Sequence, residues 1–268
     1  MEYIASRTNS LIVRMAKLSE KKYRDAEGLF VIEGIKLFDE MLKAGILPVY
    51  AFAAERAAER LSLLPDSVKK YRVSDSVYEK ISNEKAPQGI FCAIKYLDNQ
   101  HKSDTIYGGN FSGPLLALSS VQDPGNLGTI ARSARAFGAS ALLLSDDSAD
   151  IYSPKALRAS MGALFVLPTL RTPDLAASLT ALSADGYDTY AAALNESASP
   201  PQSLSLGEKT CFVLGNEGHG LSDTVLNACR GRIFIPMTNG CESLNVSAAA
   251  AVLMWEYYRT KSGPFPRR

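Results

Sequence analysis

The sequence predicts a two-domain α/β protein whose second domain contains a doubly wound parallel sheet. Short apolar runs alternate with helical patterns along most of the chain, which is typical of parallel sheets covered by helices. The alternation stops once, in a polar, glycine-containing stretch at residues 98–113 that is typical of a linker. A length of 268 residues also suits two domains. We therefore predict a small three-layer α/β domain at residues 1–97 and a larger domain at residues 114–268.

The first domain is predicted to consist of alternating strands and helices. Apolar runs predict strands at residues 29–32, 49–52, 70–73 and 90–94. Helical spacing of apolar residues predicts helices at residues 9–19, 33–44 and 54–64. A capping-box pattern predicts that a further short helix begins at Ser76.

The second domain continues the same alternation. Strands are predicted at residues 114–118, 141–144, 163–167, 188–193, 211–214 and 233–235. Helices are predicted after the turn at residues 123–126 and from the capping residues Ser153, Thr172 and Ser222. The final helix is predicted at residues 246–258, with Ser243 or Asn245 as its cap.

Composition excludes several classes of protein. With 46% hydrophobic and 21% charged residues, the chain is typical of a globular protein. It has no apolar run of about 20 residues and no signal-peptide pattern, so we expect a cytoplasmic protein without a membrane span. The cysteines form no CxxC pair, and we expect neither a disulfide framework nor a metal site. The residues weighed for such sites are Cys92, Cys211, Cys229, Cys241, His101 and His219.

Basic residues are concentrated at the amino terminus. Residues 1–24 contain six basic and two acidic side chains, a net charge of +4, whereas the whole chain has a net charge of +1. Such a segment can contact nucleic-acid phosphates, and it can equally be a solvated face. Both interpretations remain open from charge alone.

The segment from Ile233 to Ser247 has the pattern of a ligand site. An apolar strand runs into Pro236, a polar loop with Gly240 follows, and the final helix begins shortly afterwards. Exposed N–H groups at such a helix start can surround a ligand beyond the strand ends of a parallel sheet. An ordinary strand-to-helix connection has the same pattern.

Two other segments lie at predicted strand ends. Residues 123–132 pass through a turn into a helix, with Asn126 just before the helix and Arg132 on its first turns. We expect both side chains on the same side of the sheet edge. Arg132 can hold a phosphate there, or pair with a carboxylate at the surface. Residues 214–220 contain three glycines after a strand, which would let a ligand approach the backbone closely, although the spacing matches no dinucleotide or P-loop motif. His219 in this loop can act as a general base, although a loop histidine without a carboxylate at fixed spacing is more often incidental.

Taken in order, these segments resemble the three motifs of the SpoU (TrmH) family of RNA ribose 2′-O-methyltransferases. The resembling stretches are residues 123–132, residues 214–220, and Ile235-Pro-Met with Ser243-Leu-Asn-Val246. Ser160-Met-Gly-Ala163 is similar to the family's spacer, so the resemblance covers residues 114–260. Parts of residues 6–34 resemble the substrate-binding domain of members that act on ribosomal RNA.

The resemblance implies a fold, a cofactor and an assembly. Members bind S-adenosylmethionine in a carboxyl-terminal trefoil knot, an exception to the rule that chains do not thread their own loops. They are homodimers whose sites take residues from both subunits. The implied catalytic residues are Asn126, Arg132, Ser243 and Asn245. The implied cofactor-binding residues are Leu214, Gly215, Glu217, Ile235, Met237, Ser243, Leu244 and Val246.

The resemblance also implies the substrate. We expect methyl transfer to a ribose 2′-hydroxyl of RNA, and the additional amino-terminal domain favours ribosomal RNA over transfer RNA. A non-catalytic RNA-binding or ribosome-assembly protein with the same fold is the alternative from another class. The segment between Met237 and Ser243 departs from the family pattern, so no role is assigned within it.

Overall fold

A computed structural model describes residues 1–97, 111–193, 198–216, 218–238 and 243–261. Packing divides the described residues into two units. Unit 1 contains residues 1–97 and 150–165, and unit 2 contains the described residues of 111–149 and from 166 onwards. Residues 150–165, placed in the second domain on sequence, thus pack with unit 1. Our domain boundaries stay a prediction.

Unit 1 contains a mixed five-stranded sheet in the described part of the chain, with the order β1-β4-β3-β5-β2. Its strands are β1 Glu2–Ile4, β2 Leu29–Glu33, β3 Tyr50–Ala54, β4 Lys69–Val73 and β5 Ile90–Lys95. Neighbours β1, β4 and β3 are parallel, whereas β5 is antiparallel to both β3 and β2. The four predicted strands are present, and β1 is an additional short strand.

Helices accompany this sheet. They are α1 Ser10–Lys17, α2 Lys21–Glu27, α3 Ile35–Lys43, α4 Asp75–Ile81 and, from the later segment, α6 Pro154–Ser160. Residues 55–63 form a 3₁₀ helix. The core on one sheet face packs α1 and α4 through Ile12, Met15, Val77 and Ile81 against Phe52 and Phe91. The cap of α4 is Ser74, whose side chain accepts a hydrogen bond from the Val77 N–H, so the prediction of Ser76 was wrong.

Arg24 of α2 is buried rather than solvated. Its guanidinium donates to the carbonyl oxygens of Leu18 at 2.9 Å and Ser19 at 2.6 Å, and it pairs with the Asp150 carboxylate. Arg24 therefore holds the start of residues 150–165 within unit 1. Arg24 is therefore not one of the surface cations of the basic amino-terminal segment.

Unit 2 contains a parallel sheet with the order β11-β9-β10-β6-β7-β8 among its described residues. The strands are β6 Leu115–Leu118, β7 Ala141–Ser145, β8 Thr169–Thr172, β9 Asp188–Ala192, β10 Thr210–Leu214 and β11 Gly231–Ile233. The helices are α5 Pro124–Ala136, α7 Leu175–Ala184, α8 Asp223–Ala228 and α9 Val246–Lys261. The predicted α/β class with a parallel sheet is confirmed, and the trefoil knot stays a prediction.

Three predicted elements of the second half differ from the structure. Residues 163–165 form a 3₁₀ helix, and the strand follows at β8. Helix α7 is capped by Asp174, whose side chain accepts from the Ala177 N–H, because Thr172 is the last residue of β8. Strand β11 ends at Ile233, so Phe234 and Ile235 already belong to the following loop. Along the described residues, no helix is long and apolar enough to cross a membrane.

Candidate active site

A cavity of about 390 Å³ opens beyond the carboxyl ends of β9, β10 and β11. This volume lies within the range of small-molecule sites, about 300–1,000 Å³. Ligands of open α/β sheets bind outside the carboxyl ends of the strands, which is where this cavity lies. The described lining residues are mainly apolar, and none of them is a carboxylate, lysine or arginine. Such a lining suits an organic ligand with flat or aliphatic parts.

The cavity collects nearly all of the predicted cofactor-binding residues. Its lining includes Leu214, Gly215, Ile235, Met237, Ser243, Leu244 and Val246. Glu217 lies outside the described residues. The second and third sequence motifs therefore supply adjoining walls of one cavity, although they are separated along the chain.

Gly215 makes a close backbone approach within the protein itself. A Cβ atom at this position would lie 2.3 Å from the carbonyl oxygen of Gly220 and 2.8 Å from the backbone nitrogen of Leu221. Distances of this size are far below van der Waals contact. The glycine is therefore required by the turn of its own loop, and the predicted close approach of a ligand to Gly215 stays a prediction.

Asn216 organises that loop, and it is a site residue that the sequence analysis missed. Its side-chain oxygen accepts from the N–H groups of Gly218 at 2.8 Å and His219 at 3.3 Å. Its side-chain nitrogen donates to the carbonyl oxygen of Ser120 at 2.9 Å. Asn216 also lines the cavity. The signal available in the sequence was an asparagine in a glycine-rich turn, where asparagine commonly bonds to nearby backbone.

Ser120 stands at the other end of this link, in a left-handed backbone conformation with φ 57°. Its N–H donates to the hydroxyl of Ser145 at 2.8 Å, and its hydroxyl donates to the Asp147 carboxylate. Hydrogen bonds from Ser120 and Ser145 hold the pKa of Asp147 below its ordinary value. A non-glycine residue in this conformation persists only where its surroundings hold it. The loop after β6 is thus fixed to the loop after β10.

Asn126 and Asn245 meet near the start of two helices. The Asn245 side-chain nitrogen donates to the Asn126 side-chain oxygen at 3.1 Å. Asn245 also caps α9, because its oxygen accepts from the Ser247 N–H at 2.9 Å. Helix α5 begins at Pro124 with Asp123 as its cap, so Asn126 lies inside the first turn rather than before the helix as predicted. The bond joins the first and third motifs directly.

Arg132 lies further along α5 than Asn126. It is exposed, in the third turn of α5, and it does not line the cavity. Six residues separate it from Asn126, which turns the two side chains about 120° apart around the helix axis. That the two residues lie on the same side of the sheet edge stays a prediction. Arg132 makes no ion pair or hydrogen bond with any residue that the structure describes.

Comparison with known proteins decides the family. Residues 114–255 match the SpoU rRNA Methylase family. The chain belongs to this family. Residues 9–92 of this SpoU protein match the MRM3-like substrate binding domain.

Its relatives include proteins named as ribosomal-RNA methyltransferases. The SpoU protein is 32% identical over 256 residues to 23S rRNA (guanosine(2553)-2′-O)-methyltransferase RlmP of Bacillus subtilis. The alignment covers 95% of this chain and 98% of the relative. It is 31% identical over 295 residues to rRNA methyltransferase 3A, mitochondrial, of Danio rerio, with 91% and 67% covered. Both matches extend across the two predicted domains.

Solved structures give the same result for the fold. The AdoMet bound rRNA methyltransferase from Sinorhizobium meliloti superposes with a TM-score of 0.87 at 25% identity, covering 98% of this chain and 99% of that one. A putative RNA methyltransferase of the TrmH family from Porphyromonas gingivalis gives 0.83 at 30% identity, with 95% and 99% covered. The predicted SpoU family and its fold are thereby confirmed.

Proposed function

We propose that this protein methylates a ribose 2′-hydroxyl of ribosomal RNA, with the unit 2 cavity as the cofactor site. Membership of the SpoU family makes the chain an RNA methyltransferase that uses S-adenosylmethionine. The observation that carries the assignment of the site is that all three motifs adjoin it: two line the cavity, and the first bonds to the third through Asn126 and Asn245.

The cavity fits the cofactor in size and character. S-adenosylmethionine would supply an electrophilic methyl group on a sulfonium centre. Leu214, Ile235, Met237 and Leu244 would enclose its adenine and aliphatic parts by apolar contact, with Val246 at the buried floor. Backbone groups around Gly215 and the hydroxyl of Ser243 would provide the few polar contacts that orient it. Glu217 is proposed as a further contact on the resemblance alone.

Asn126, Ser243 and Asn245 are proposed to position the substrate ribose. Amide and hydroxyl groups can donate and accept at once, so they suit a sugar hydroxyl that must be aligned with the methyl group. In-line alignment of two reactants removes several kcal/mol of entropic barrier, of the order of 7–11 kcal/mol in favourable cases. The hydrogen bond between Asn126 and Asn245 would hold the two side-chain amides in a fixed relative position.

Arg132 is proposed to hold a phosphate of the reacting nucleotide. A guanidinium stays protonated in proteins, so it is poorly suited to remove the hydroxyl proton, which we assign to the phosphate or to water. The ribose oxygen forms a bond to the methyl carbon while the carbon–sulfur bond breaks. Because Arg132 does not line the cavity of its own chain, we propose that it serves the site of a second subunit.

A homodimer would supply that second subunit. On α9, Val252 and Trp255 are 40% and 42% exposed and lie three residues apart, on neighbouring positions of one helix face. The Trp255 ring lies 5.7 Å from that of Phe137 at the end of α5, the helix that carries Arg132. Apolar side chains exposed together are typical of an interface. We also propose the carboxyl-terminal trefoil knot, which, like the homodimer, is implied by the family resemblance.

Ribosomal RNA is the proposed substrate class because RlmP and the Danio rerio relative are named for it. The same relatives do not favour the transfer-RNA alternative or the non-catalytic one. Residues 1–97 are proposed as the RNA-binding domain, residues 98–113 as the linker and residues 114–268 as the methyltransferase domain. A cytoplasmic location is proposed as the place of this substrate.

Incubation of the purified protein with methyl-labelled S-adenosylmethionine and, separately, ribosomal and transfer RNA tests the substrate. Both RNAs should be prepared without modifications, so that target positions are open. We expect label in ribosomal RNA. Label confined to transfer RNA would overturn the proposed substrate and leave the reaction intact.

A further inference from the structure

Tyr50 of β3 stands between cations on the surface of unit 1. The guanidinium carbon of Arg14 lies 5.8 Å from the centre of its ring, and the ammonium of Lys69 lies 5.6 Å from it. Both distances are within the range of cation–π attraction, about 6 Å. The half-buried ring thus keeps two like charges close together at the surface.

The sheet register places a third cation on the same side. Tyr50 pairs with Lys69 on the parallel strand β4 and with Ala93 on the antiparallel strand β5. Lys95 lies two residues beyond Ala93, and side chains two residues apart in a strand share a face. Tyr50, Lys69 and Lys95 therefore lie on one face of the sheet, at the end where α1 brings Arg14.

A surface cavity of about 380 Å³ adjoins this group. Arg14, Tyr50, Lys95 and Tyr96 line it, with Glu27 as the acidic member. Glu27 accepts from the Arg14 Nε at 2.8 Å and pairs with its terminal nitrogen, which fixes the guanidinium in place. The pKa of Arg14 is raised by the hydrogen bond to Glu27, so its charge is retained.

A second tyrosine, Tyr23 of α2, repeats the arrangement beside the end of α1. The ammonium groups of Lys17 and Lys22 lie 5.3 and 4.7 Å from the centre of the Tyr23 ring. Arg14 and Lys17 are three residues apart in α1, so they are neighbours on the helix surface. The two tyrosine groups therefore form one strip, Lys69, Tyr50, Lys95, Arg14, Lys17, Tyr23 and Lys22, which we call the tyrosine–cation strip.

Acidic residues only partly neutralise the strip. Glu27 pairs with Arg14, and Glu20 pairs with Lys22 at 3.2 Å. Lys17, Lys69 and Lys95 make no ion pair with a residue within the described ranges. Five cations thus face two carboxylates, and the repulsion between the cations would be relieved by a polyanion that spans both tyrosines.

We propose that the tyrosine–cation strip binds the phosphate backbone of the RNA substrate. The proposal rests on the proposed function, since it assigns the RNA contact to one face of unit 1. Lys17, Lys69 and Lys95 pair with phosphates, while Arg14 and Lys22 are oriented by their carboxylates and the tyrosines. The strip uses only part of the basic amino-terminal segment, because Arg24 is buried against Asp150.

The double variant Lys17→Ala/Lys69→Ala tests the strip by removing one unpaired cation beside each tyrosine. Each lost phosphate contact lowers the steepness of the plot of log K against log[salt] by about 0.7–0.9. It also weakens binding at about 0.1 M salt roughly fivefold or more. We expect a slope lower by about 1.4–1.8 and affinity roughly 25-fold weaker for transcribed 23S ribosomal RNA. Filter binding across a salt series measures both, and calorimetry should show unchanged S-adenosylmethionine affinity.

The matched control is Lys36→Ala/Lys43→Ala, which removes two exposed lysines of α3 in the same unit. Both pair with Glu40, at 3.3 and 3.0 Å, and neither belongs to the strip. The slope of log K against log[salt] for this control should stay close to that of the unchanged protein. Equal slopes for the two double variants would overturn the strip. The proposed function is measured separately, by methyl transfer from the unchanged protein: absence of transfer would overturn that function and leave a slope difference standing.

Discussion

Gly215→Ala should weaken cofactor binding by moving the loop that walls the cavity. The added Cβ would lie 2.3 Å from the Gly220 carbonyl oxygen and 2.8 Å from the Leu221 nitrogen. Restoring a contact of about 3.5 Å requires a backbone shift of about 1 Å. Gly220 and Leu221 both line the cavity, so the shift changes the surface of the proposed cofactor site.

Overpacking of this kind costs about 1–3 kcal/mol. If this free energy destabilises the loop conformation that binds the cofactor, the Kd for S-adenosylmethionine rises about 5- to 150-fold, since about 1.4 kcal/mol corresponds to tenfold. Calorimetry on the folded variant measures the Kd, with thermal unfolding as the check on folding. Gly207→Ala is the matched control, because its Cβ would meet no atom within 4 Å and it does not line the cavity. Wild-type affinity in folded Gly215→Ala would refute the reasoning.

Three further predictions concern the site. Arg132→Ala should retain folding and S-adenosylmethionine affinity but lower the rate of single-turnover methyl transfer about 100-fold, and Arg132→Lys should restore little of it. A near-normal rate in Arg132→Ala would remove Arg132 from the mechanism. Asn245→Asp keeps an acceptor for the Ser247 N–H but loses the donor to Asn126, so the melting temperature should hold while transfer falls; an unchanged rate would show that the bond is not used. Light scattering should show a dimer that Val252→Asp converts to a monomer, and a monomeric unchanged protein would contradict the shared site.

Strand positions and the cavity beyond the strand ends were predictable because they depend on local patterns and on motifs. Strands β6, β7, β9 and β10 were predicted to within about a residue or two, since buried parallel strands are continuous apolar runs. The residues that line the cavity came from the family resemblance rather than from periodicity. Periodicity alone predicts a ligand site at the strand ends but not its walls.

The failures have identifiable causes. Residues 163–167 are an apolar run whose length suits either a strand or a helical turn, and left-handed Met161 and Gly162 set a 3₁₀ turn there. Pro124 was read as part of a turn, although proline is also favoured in the first turn of a helix. Asn216 was missed because its partner Ser120 is 96 residues away in sequence, so only the folded chain brings the two together.

The central claim is methyl transfer to a ribose hydroxyl of ribosomal RNA at the unit 2 cavity. The most direct test is a reaction of the purified protein with methyl-labelled S-adenosylmethionine and unmodified ribosomal RNA, followed by alkaline hydrolysis. A 2′-O-methyl group blocks cleavage of the adjoining linkage, so the account predicts label in alkali-resistant dinucleotides at one position. Label released in mononucleotides would place the methyl group on a base and contradict the account.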